Sequence, residues 1–536
     1  MFGKTPHHRS VMKHDFSKIP HADIQRSSFN RSFDHKSVFS SGYLVPILVD
    51  EALPGDTFNV KLSSVSRLTT PLYPIMDNLF MDFFFFAVPN RLLWDNWRRF
   101  MGERDPDPDS SIDYTIPQMV PAAGGFVAEE LADYFGIPPL MDNITVNSLP
   151  FRAYNLIYNE WFRDQNLQDS VEVDKGDGPD AIADYELLKR GKRHDYFTSC
   201  LPWPQKGVGV DLPLGTSADI KYGTQIVGST GITGDWYVAE RSGTSGEHHY
   251  GATAGVDTNN ITDGDAFNLY ADLTNATAAS INSLREAFQL QRLLERDARG
   301  GTRYIELIKS HFGVTSPDAR MQRPEYLGGG STRIQVDAIP RTAGLIGTQA
   351  VGQLGAMMTN VQSGVGFTKS FVEHCTIIGL ANCRADLTYQ QGINRQWLRS
   401  TKYDYYWPAL AHLGEQEVTN IELWCQDGTQ DTGATGTPDN ERIFGYQERW
   451  AEYRYKPSII TSVMRSDHPT SLDVWHLSQD FATLPELNED FIVETPPIDR
   501  VQAISGEEEI LFDGYFSMIC TRPMPTYSVP GMIDHF

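Results

Sequence analysis

Residues 75–102 read IMDNLFMDFFFFAVPNRLLWDNWRRFMG. From Leu79 to Val88 there is one charge, Asp82, and five phenylalanines: Phe80, Phe83, Phe84, Phe85 and Phe86. Side chains of a strand alternate between its faces. Leu79, Met81, Phe83 and Phe85 therefore share one face, and Phe80, Phe84 and Phe86 share the other. A half-buried strand needs one apolar face. This strand has two, so it is expected to be a central strand between layers or a strand covered by another subunit. Its second face should be covered by helices of the same chain first and by a neighbouring subunit second. Pro89 ends the strand. Asn90 is placed to cap a helix in which Leu93, Trp94, Trp97, Phe100 and Met101 recur at helical spacing, with Gly102 as its stop.

The remaining chain is long enough to cover such a strand. Its 536 residues correspond by length to roughly three or four ordinary domains, unless a large β architecture carries long insertions. Aromatics at 11% favour sheets and large interfaces. The net charge of −24 keeps the chain soluble and repels nucleic acid at long range. The charge is uneven. Residues 1–36 hold Lys4, Arg9, Lys13, Lys18, Arg26, Arg31 and Lys36 against Asp15, Asp23 and Asp34, a local +4, which leaves −28 on the other 500 residues. Residues 1–40 are read as a basic, extended arm ordered by docking on something else through Phe16, Ile19, Ile24, Phe29, Phe33 and Phe39, the alternative being a disordered tail. Its seven cations, interleaved with Phe, are the candidate nucleic-acid contacts, because cations neutralise phosphates and rings stack on bases.

Five cysteines, an odd number without a CxxC pair, suit a reducing compartment better than a disulfide framework. No apolar run approaches the ~20 residues of a membrane span, and the N-terminus lacks the apolar core of a signal peptide. The expected address is the cytoplasm.

Strands are expected over 42–49, 57–65 and 79–88, with Pro54-Gly55 as the first turn. Pro150 opens a helix to about Leu167, on which Phe151, Tyr154, Tyr158, Trp161 and Phe162 form one face. An acidic loop follows over 174–184. From about Lys206 to Asn282 the chain turns to Gly, Thr, Ser, Ala, Asn and Asp. A loop of that length inside a compact domain is improbable, so it is read as a surface insertion of short strands and loops. Ser283 and Glu286 form a candidate capping box ahead of two helical faces, one from Leu284 and one from Tyr304. The Gly328-Gly329-Gly330 run reads as a turn and 344–366 as a Gly-rich loop. Strands are expected over 334–339, 371–389, 418–425, 459–463 and 510–520. The parts are 1–40, the arm; 41–205, the first strands with helical loops; 206–282, the insertion; and 283–536, a helical loop, the remaining strands and an extended tail. The architecture is a β-sandwich with long helix-bearing connections.

Chemistry-bearing motifs are scarce. His374 and Cys375 lie near Cys383, but strand alternation puts His374 and Cys375 on opposite faces. His248-His249 have no further spaced ligands. Residues 257–265 (DTNNITDGD) have oxygen ligands but not the Gly and Glu positions of an EF-hand. No nucleophile elbow, phosphate-binding loop or dinucleotide fingerprint occurs. Asn143, Asn260 and Asn275 head N-x-T sequons, read as chance matches. No cofactor, metal site or catalytic residue is expected.

Several long stretches resemble the major capsid protein of microviruses, and most closely its gokushovirus branch. They are PGDTF (54–58), MDFFFFAVPNRLLWDNWRRFMG (81–102), FRAYNLIYNEWFRDQN (151–166), LPWPQKG (201–207), 290–330, RADLTYQQGINRQW (384–397), YDYYWPALAHLGEQ (403–416), FGYQERWAEYRYKPS (444–458), LDVWHLSQDF (472–481) and RPMPTYSVPGMIDHF (522–536). Together they cover the chain except the insertion and small loops. The resemblance implies a mainly β fold, an eight-stranded antiparallel jelly roll with long inter-strand loops. It further implies a T=1 icosahedral shell built through pentamers around circular single-stranded DNA, with the insertion at the three-fold axes serving host attachment. The virion is then its location and the host bacterial cytoplasm its place of assembly. An acidic subunit around DNA calls for a small basic DNA-binding virion protein or bound cations. A host surface receptor or glycan is the expected external partner, and no membrane insertion is expected. The competing reading is a carbohydrate-binding β-sandwich with exposed Trp and Tyr as sugar platforms. A jelly-roll enzyme has no ligand or nucleophile constellation to support it.

Overall fold

The computed structural model describes residues 25–69, 71–103, 114–121, 124–142, 144–210, 219–222, 269–272, 281–301, 304–313, 322–342, 351–504, 506 and 508–527. The chain divides into two compact units, Gln205–Gly313 and the remainder.

Among the described residues, the two main sheets of the larger unit are built from ten strands: β1 (Ser27–Asn30), β2 (Phe33–Phe39), β3 (Val45–Ala52), β4 (Thr57–Leu68), β5 (Leu79–Pro89), β6 (Glu325–Arg333), β7 (Gln335–Pro340), β8 (Leu354–Ser370), β9 (Cys375–Ala385) and β10 (Ile510–Arg522). One sheet runs β1-β10-β4-β8-β7, with β2 also pairing β10. The other runs β6-β5-β9-β3. All pairings are antiparallel. From β3 to β4, from β4 to β5 and from β8 to β9 the chain changes sheet. The four-strand orders β2-β10-β4-β8 and β3-β9-β5-β6 are those of a jelly roll, with β1 and β7 added at the edges of one sheet.

Strand β5 divides its two faces as its pattern demands. Leu79, Met81, Phe83 and Phe85 lie in the core between the sheets, beside Phe58, Leu62 and Phe516. Each such Phe, fully buried, contributes about 1.5–3 kcal/mol. Phe86 and Val88 lie in a second core, with Phe84 packed at its margin. The cover is helix α1 (Leu149–Ile157), which continues into a π-helical turn over Tyr158–Phe162. The wider turn aims Trp161 and Phe162 at the strand: Phe162 meets Phe84 edge-on at 5.2 Å, and Trp161 sits 5.5 Å from Phe86. Strand β9 is buried along all its residues and pairs β5 throughout.

Arg152 of α1 holds this layer in register. Its guanidinium makes two bonds to Asp180, of 2.8 and 2.5 Å, and donates to the carbonyls of Leu93 and Gly176 at 3.0 and 2.9 Å. Tyr154 donates its hydroxyl to the Leu44 carbonyl at 2.9 Å, tying α1 to the start of β3.

Several expectations give way to packing. The helix from Asn90 is a 3₁₀ turn over Asn90–Leu92 and a single α turn over Trp97–Phe100. Asn90 does not cap it, because its side-chain oxygen accepts from the Thr376 hydroxyl at 2.9 Å. The Gly328–Gly330 run is not a turn but the middle of β6. A Cβ on Gly329 would lie 2.2 Å from the Phe83 carbonyl oxygen, and one on Gly328 would lie 2.6 Å from that of Gly366. These glycines let β6 close against β5 and against β8 of the facing sheet. The expected Gly-rich loop at 344–366 is, from Leu354 on, the 17-residue strand β8; 343–350 lie outside the described residues. Residues 459–463 form no strand, only a bridge from Ile459 to Tyr389 and a turn over Ser462–Met464. The strand expected at 418–425 ends at Thr419. Residues 27–39, expected in the arm, are strands β1 and β2.

In the smaller unit, Asp219–Tyr222 pairs with Leu269–Asp272. Helices α2 (Ile281–Arg299) and α3 (Tyr304–Phe312) belong to this unit rather than to the strands that follow. They are joined by the His311 ring and Asp297 at 2.6 Å. Helix α2 begins at Ile281, so Ser283 lies inside it and heads no capping box. Residues 235–238, 248–249 and 257–265 lie outside the described residues.

Candidate nucleic-acid and assembly surfaces

Of the seven cations expected to touch nucleic acid, Arg26, Arg31 and Lys36 fall on described residues; Lys4, Arg9, Lys13 and Lys18 lie outside them. Arg31 grips the Asp50 carboxylate at 2.6 and 3.1 Å. Arg26 donates to the Gly55 carbonyl at 2.5 Å and to Thr57 at 3.2 Å. Lys36 pairs with Asp513 at 3.0 Å, on the surface. From Lys36 beside Asp513 to Ser27 opposite Arg522, the three spread along about 30 Å of β10 at the rise of an extended strand. The structure does not gather them into one patch. Two of the phenylalanines dock on their own chain: Phe39 is in the inter-sheet core, and Phe33 stacks on Phe516 at 4.9 Å; Phe16 lies outside the described residues.

The His374–Cys375–Cys383 group is divided by the strand. The His374 ring meets Trp97 at 5.5 Å, on the helical side. The thiols of Cys375 and Cys383 lie in the inter-sheet core. Burial pushes the Cys375 thiol up to about 12 and the Cys383 thiol well above its ordinary value. Neither offers a thiolate near neutrality. None of the five cysteines forms a disulfide. Among the described residues, no three His, Cys, Asp or Glu side chains converge as a metal site, and no helix is long and apolar enough to cross a membrane.

The structure displays one surface that the sequence reading passed over. It is an aromatic shelf formed by Trp397, Tyr403, Tyr405 and Trp407 together with Tyr453 and Tyr455, all exposed. The segments are locked in place. Thr401 and Asp404 form a reciprocal cap, and the Trp407 indole donates to the Lys402 carbonyl at 2.8 Å. The Arg399 guanidinium lies between Tyr405 and Tyr453, at 5.2 and 4.4 Å from the ring centres. Beneath the shelf, Glu422 accepts from Arg395 at 2.9 Å and from the Tyr196 hydroxyl at 3.0 Å. Burial pushes the Glu422 carboxyl up, against the pull of these two partners. A third apolar cluster, including Tyr196, Phe197, Tyr389 and Phe444, supports the arrangement. The run YDYYWP (403–408) was the available signal: rings crowded into a Pro-bearing loop with no periodicity to bury them.

A jelly roll with long packed loops, an anchored N-terminal segment and a broad aromatic surface is an architecture found in the shell-forming class of proteins. The sequence profile described as "Capsid protein (F protein)" matches residues 17–532. The chain is 45% identical to "Capsid protein VP1" of Bdellovibrio phage phiMH2K, over 98% of both chains. It is 42% identical to that of Chlamydia phage 1, over 98% of both, and 38% identical to that of Spiroplasma virus 4, over 97% of both. The chain belongs to the phage F-type capsid protein family. It is a non-enzymatic structural component of a virion, and the resemblance read from the quoted stretches is confirmed.

Proposed function

We propose that this chain is the shell subunit of a T=1 icosahedral particle, assembled through pentamers around circular single-stranded DNA. The observation that carries this reading is the end-to-end match to phage capsid proteins on a jelly-roll frame. Because Arg26 and Arg31 are engaged within the fold, DNA contact falls first to Lys4, Arg9, Lys13 and Lys18. Four such cations per subunit, already counted in the net charge of −24, leave the chain strongly acidic. A small basic DNA-binding virion protein, or bound cations, completes the interior. The 206–282 insertion contributes to attachment at a host surface receptor or glycan. Its polar, Gly- and Thr-rich composition suits an outward-facing segment that carries no core.

Electron microscopy of the expressed chain, with nuclease digestion of the particles, tests this. Closed round shells holding nuclease-protected single-stranded DNA are expected when a polycation is present. A small oligomer under the same conditions overturns the reading. Shells that package DNA from this protein alone, without polycations, overturn the basic partner.

A further inference from the structure

The aromatic shelf is more than a collection of exposed rings. Tyr406 donates its backbone N–H to the Tyr453 hydroxyl at 3.4 Å, and Arg399 bridges the two segments, so 397–407 and 453–459 form one continuous surface. Aliphatic residues border it: Ile459 is 69% exposed and Leu413 54%. Exposed patches of this kind on soluble proteins mark interaction sites.

Its composition identifies the kind of partner. Trp, Tyr and Arg are the residues that dominate protein–protein contacts, and aliphatics fill the dry centre of such contacts. A single-strand nucleic-acid platform needs rings and cations available for phosphates. Here Arg395 is held by Glu422, Arg399 by Glu452 and Arg454 by Glu448. The aliphatic border has no role in binding phosphate or bases.

Charge identifies the partner more closely. Segments 389–413 and 449–465 carry seven Lys or Arg against two Asp or Glu; with Glu422 and Glu448, which pair with Arg395 and Arg454, the local charge is +3, which leaves −27 on the rest of the chain. The shelf is a cationic, aromatic face on an acidic body, so the surface complementary to it is that of another copy. The size also fits. Six rings that each bury 150–250 Å² when fully covered, here about half exposed, provide most of the ~800 Å² per partner of a stable interface.

We infer that the 397–407/453–459 shelf packs against the acidic surface of a second copy of this chain in the assembled shell. The inference rests on the shell-forming reading above and assigns one of its contacts. Trp397 and Tyr403, 76% and 60% exposed, are the residues to change, because their rings are the least engaged in the subunit's own packing.

The full-length chain and its Trp397→Ala/Tyr403→Ala variant are compared by sedimentation under assembly conditions. Oxidative labelling of Trp397 is measured in wild-type subunits and wild-type shells. The variant is expected to keep the subunit's melting temperature while its shell yield falls by about tenfold or more, the effect of one hot-spot loss. Trp397 labelling is expected to fall at least about fivefold on assembly. Wild-type shell yield from the variant, or equal labelling of Trp397 in both states, overturns the inference. So does a variant that forms shells normally but loses packaged DNA, which would make the shelf a nucleic-acid platform. A wild-type chain that never forms shells overturns the assembly reading itself, a result distinct from the others.

Discussion

Arg384 donates to the Asp82 carboxylate at 2.7 Å while its guanidinium lies 4.5 Å over the ring of Phe80. The single charge in the phenylalanine strand is therefore the anchor of that strand's second face. Arg190 reaches the same carboxylate oxygen at 2.7 Å and lies over Phe84 at 5.1 Å. Burial alone would push the Asp82 carboxyl up, but hydrogen bonds from Ser331 and Arg384 and the two guanidinium charges hold it below the usual carboxylate range. Asp82→Ala leaves Arg384 buried without its partner and is expected to cost about 3–5 kcal/mol. Denaturant unfolding of the unassembled subunit measures this. Combining Asp82→Leu with Arg384→Met should recover much of the loss.

Arg152 has no equivalent substitute. Its two bonds to Asp180 use the planar fork of a guanidinium, and its remaining donors serve two carbonyls. Lysine keeps the charge but cannot reproduce that geometry. Arg152→Lys is expected to lower subunit stability by about 2–4 kcal/mol. The helical layer over Phe84 and Phe86 should loosen, which faster amide exchange in α1 would report. An unchanged exchange rate would remove Arg152 from its positioning role.

Glu494 and Lys192 are both buried near β9, where their charges act on one another. Burial pushes the Glu494 carboxyl up to about 6 and the Lys192 ammonium down to about 8, each opposed by the other's charge. A carboxyl raised from about 4.5 to about 6 binds its proton more tightly when folded, so its share of stability falls as pH rises through that window. Glu494→Gln removes that dependence. Relative to wild type, the variant is expected to gain about 1 kcal/mol between pH 4.5 and 6, and about 2 kcal/mol over the whole titration. Thermal midpoints of both proteins at the two pH values check the sign. A difference that is flat or of the opposite slope would falsify the assignment.

The N-terminal cations divide by position. Deleting residues 1–24 is expected to leave the subunit's melting midpoint within about 2 °C, while weakening DNA retention in shells at 0.2 M salt. Deleting residues 1–40 removes β1 and β2 and bares one edge of β10, with Phe39 lost from the core. That longer deletion should yield insoluble protein. Equal DNA retention by the 1–24 deletion and the full chain would place the phosphate contacts elsewhere.

The two-faced strand could be read from residues 79–88 because the alternation of large apolar side chains survives any context. The jelly roll itself came from resemblance, since strands paired from opposite ends of the chain leave no local signal of their pairing. What could not be read was where backbone approaches backbone. Gly328–Gly330 and Gly366 have the composition of loops, yet the sheets meet there and only the absence of a Cβ allows it. Asn90 looks like a helix cap until Thr376, remote in sequence, claims its oxygen. The aromatic shelf escaped notice because period-based reading looks for what is buried, and these rings are not.

Strand β10 is made after every other strand of its sheet, yet it lies inside that sheet, with β1 and β2 on one flank and β4 on the other. Its partners in β2 precede it by more than 470 positions, Phe39 pairing with Ile510. At ~5–20 residues per second on a ribosome, the early strands wait tens of seconds for their central neighbour. A chain cut short anywhere before Ile510 therefore has a gap in the middle of a sheet rather than a frayed end. Such a fragment lacks the strand that joins β2 to β4 and cannot close the subunit's sheet.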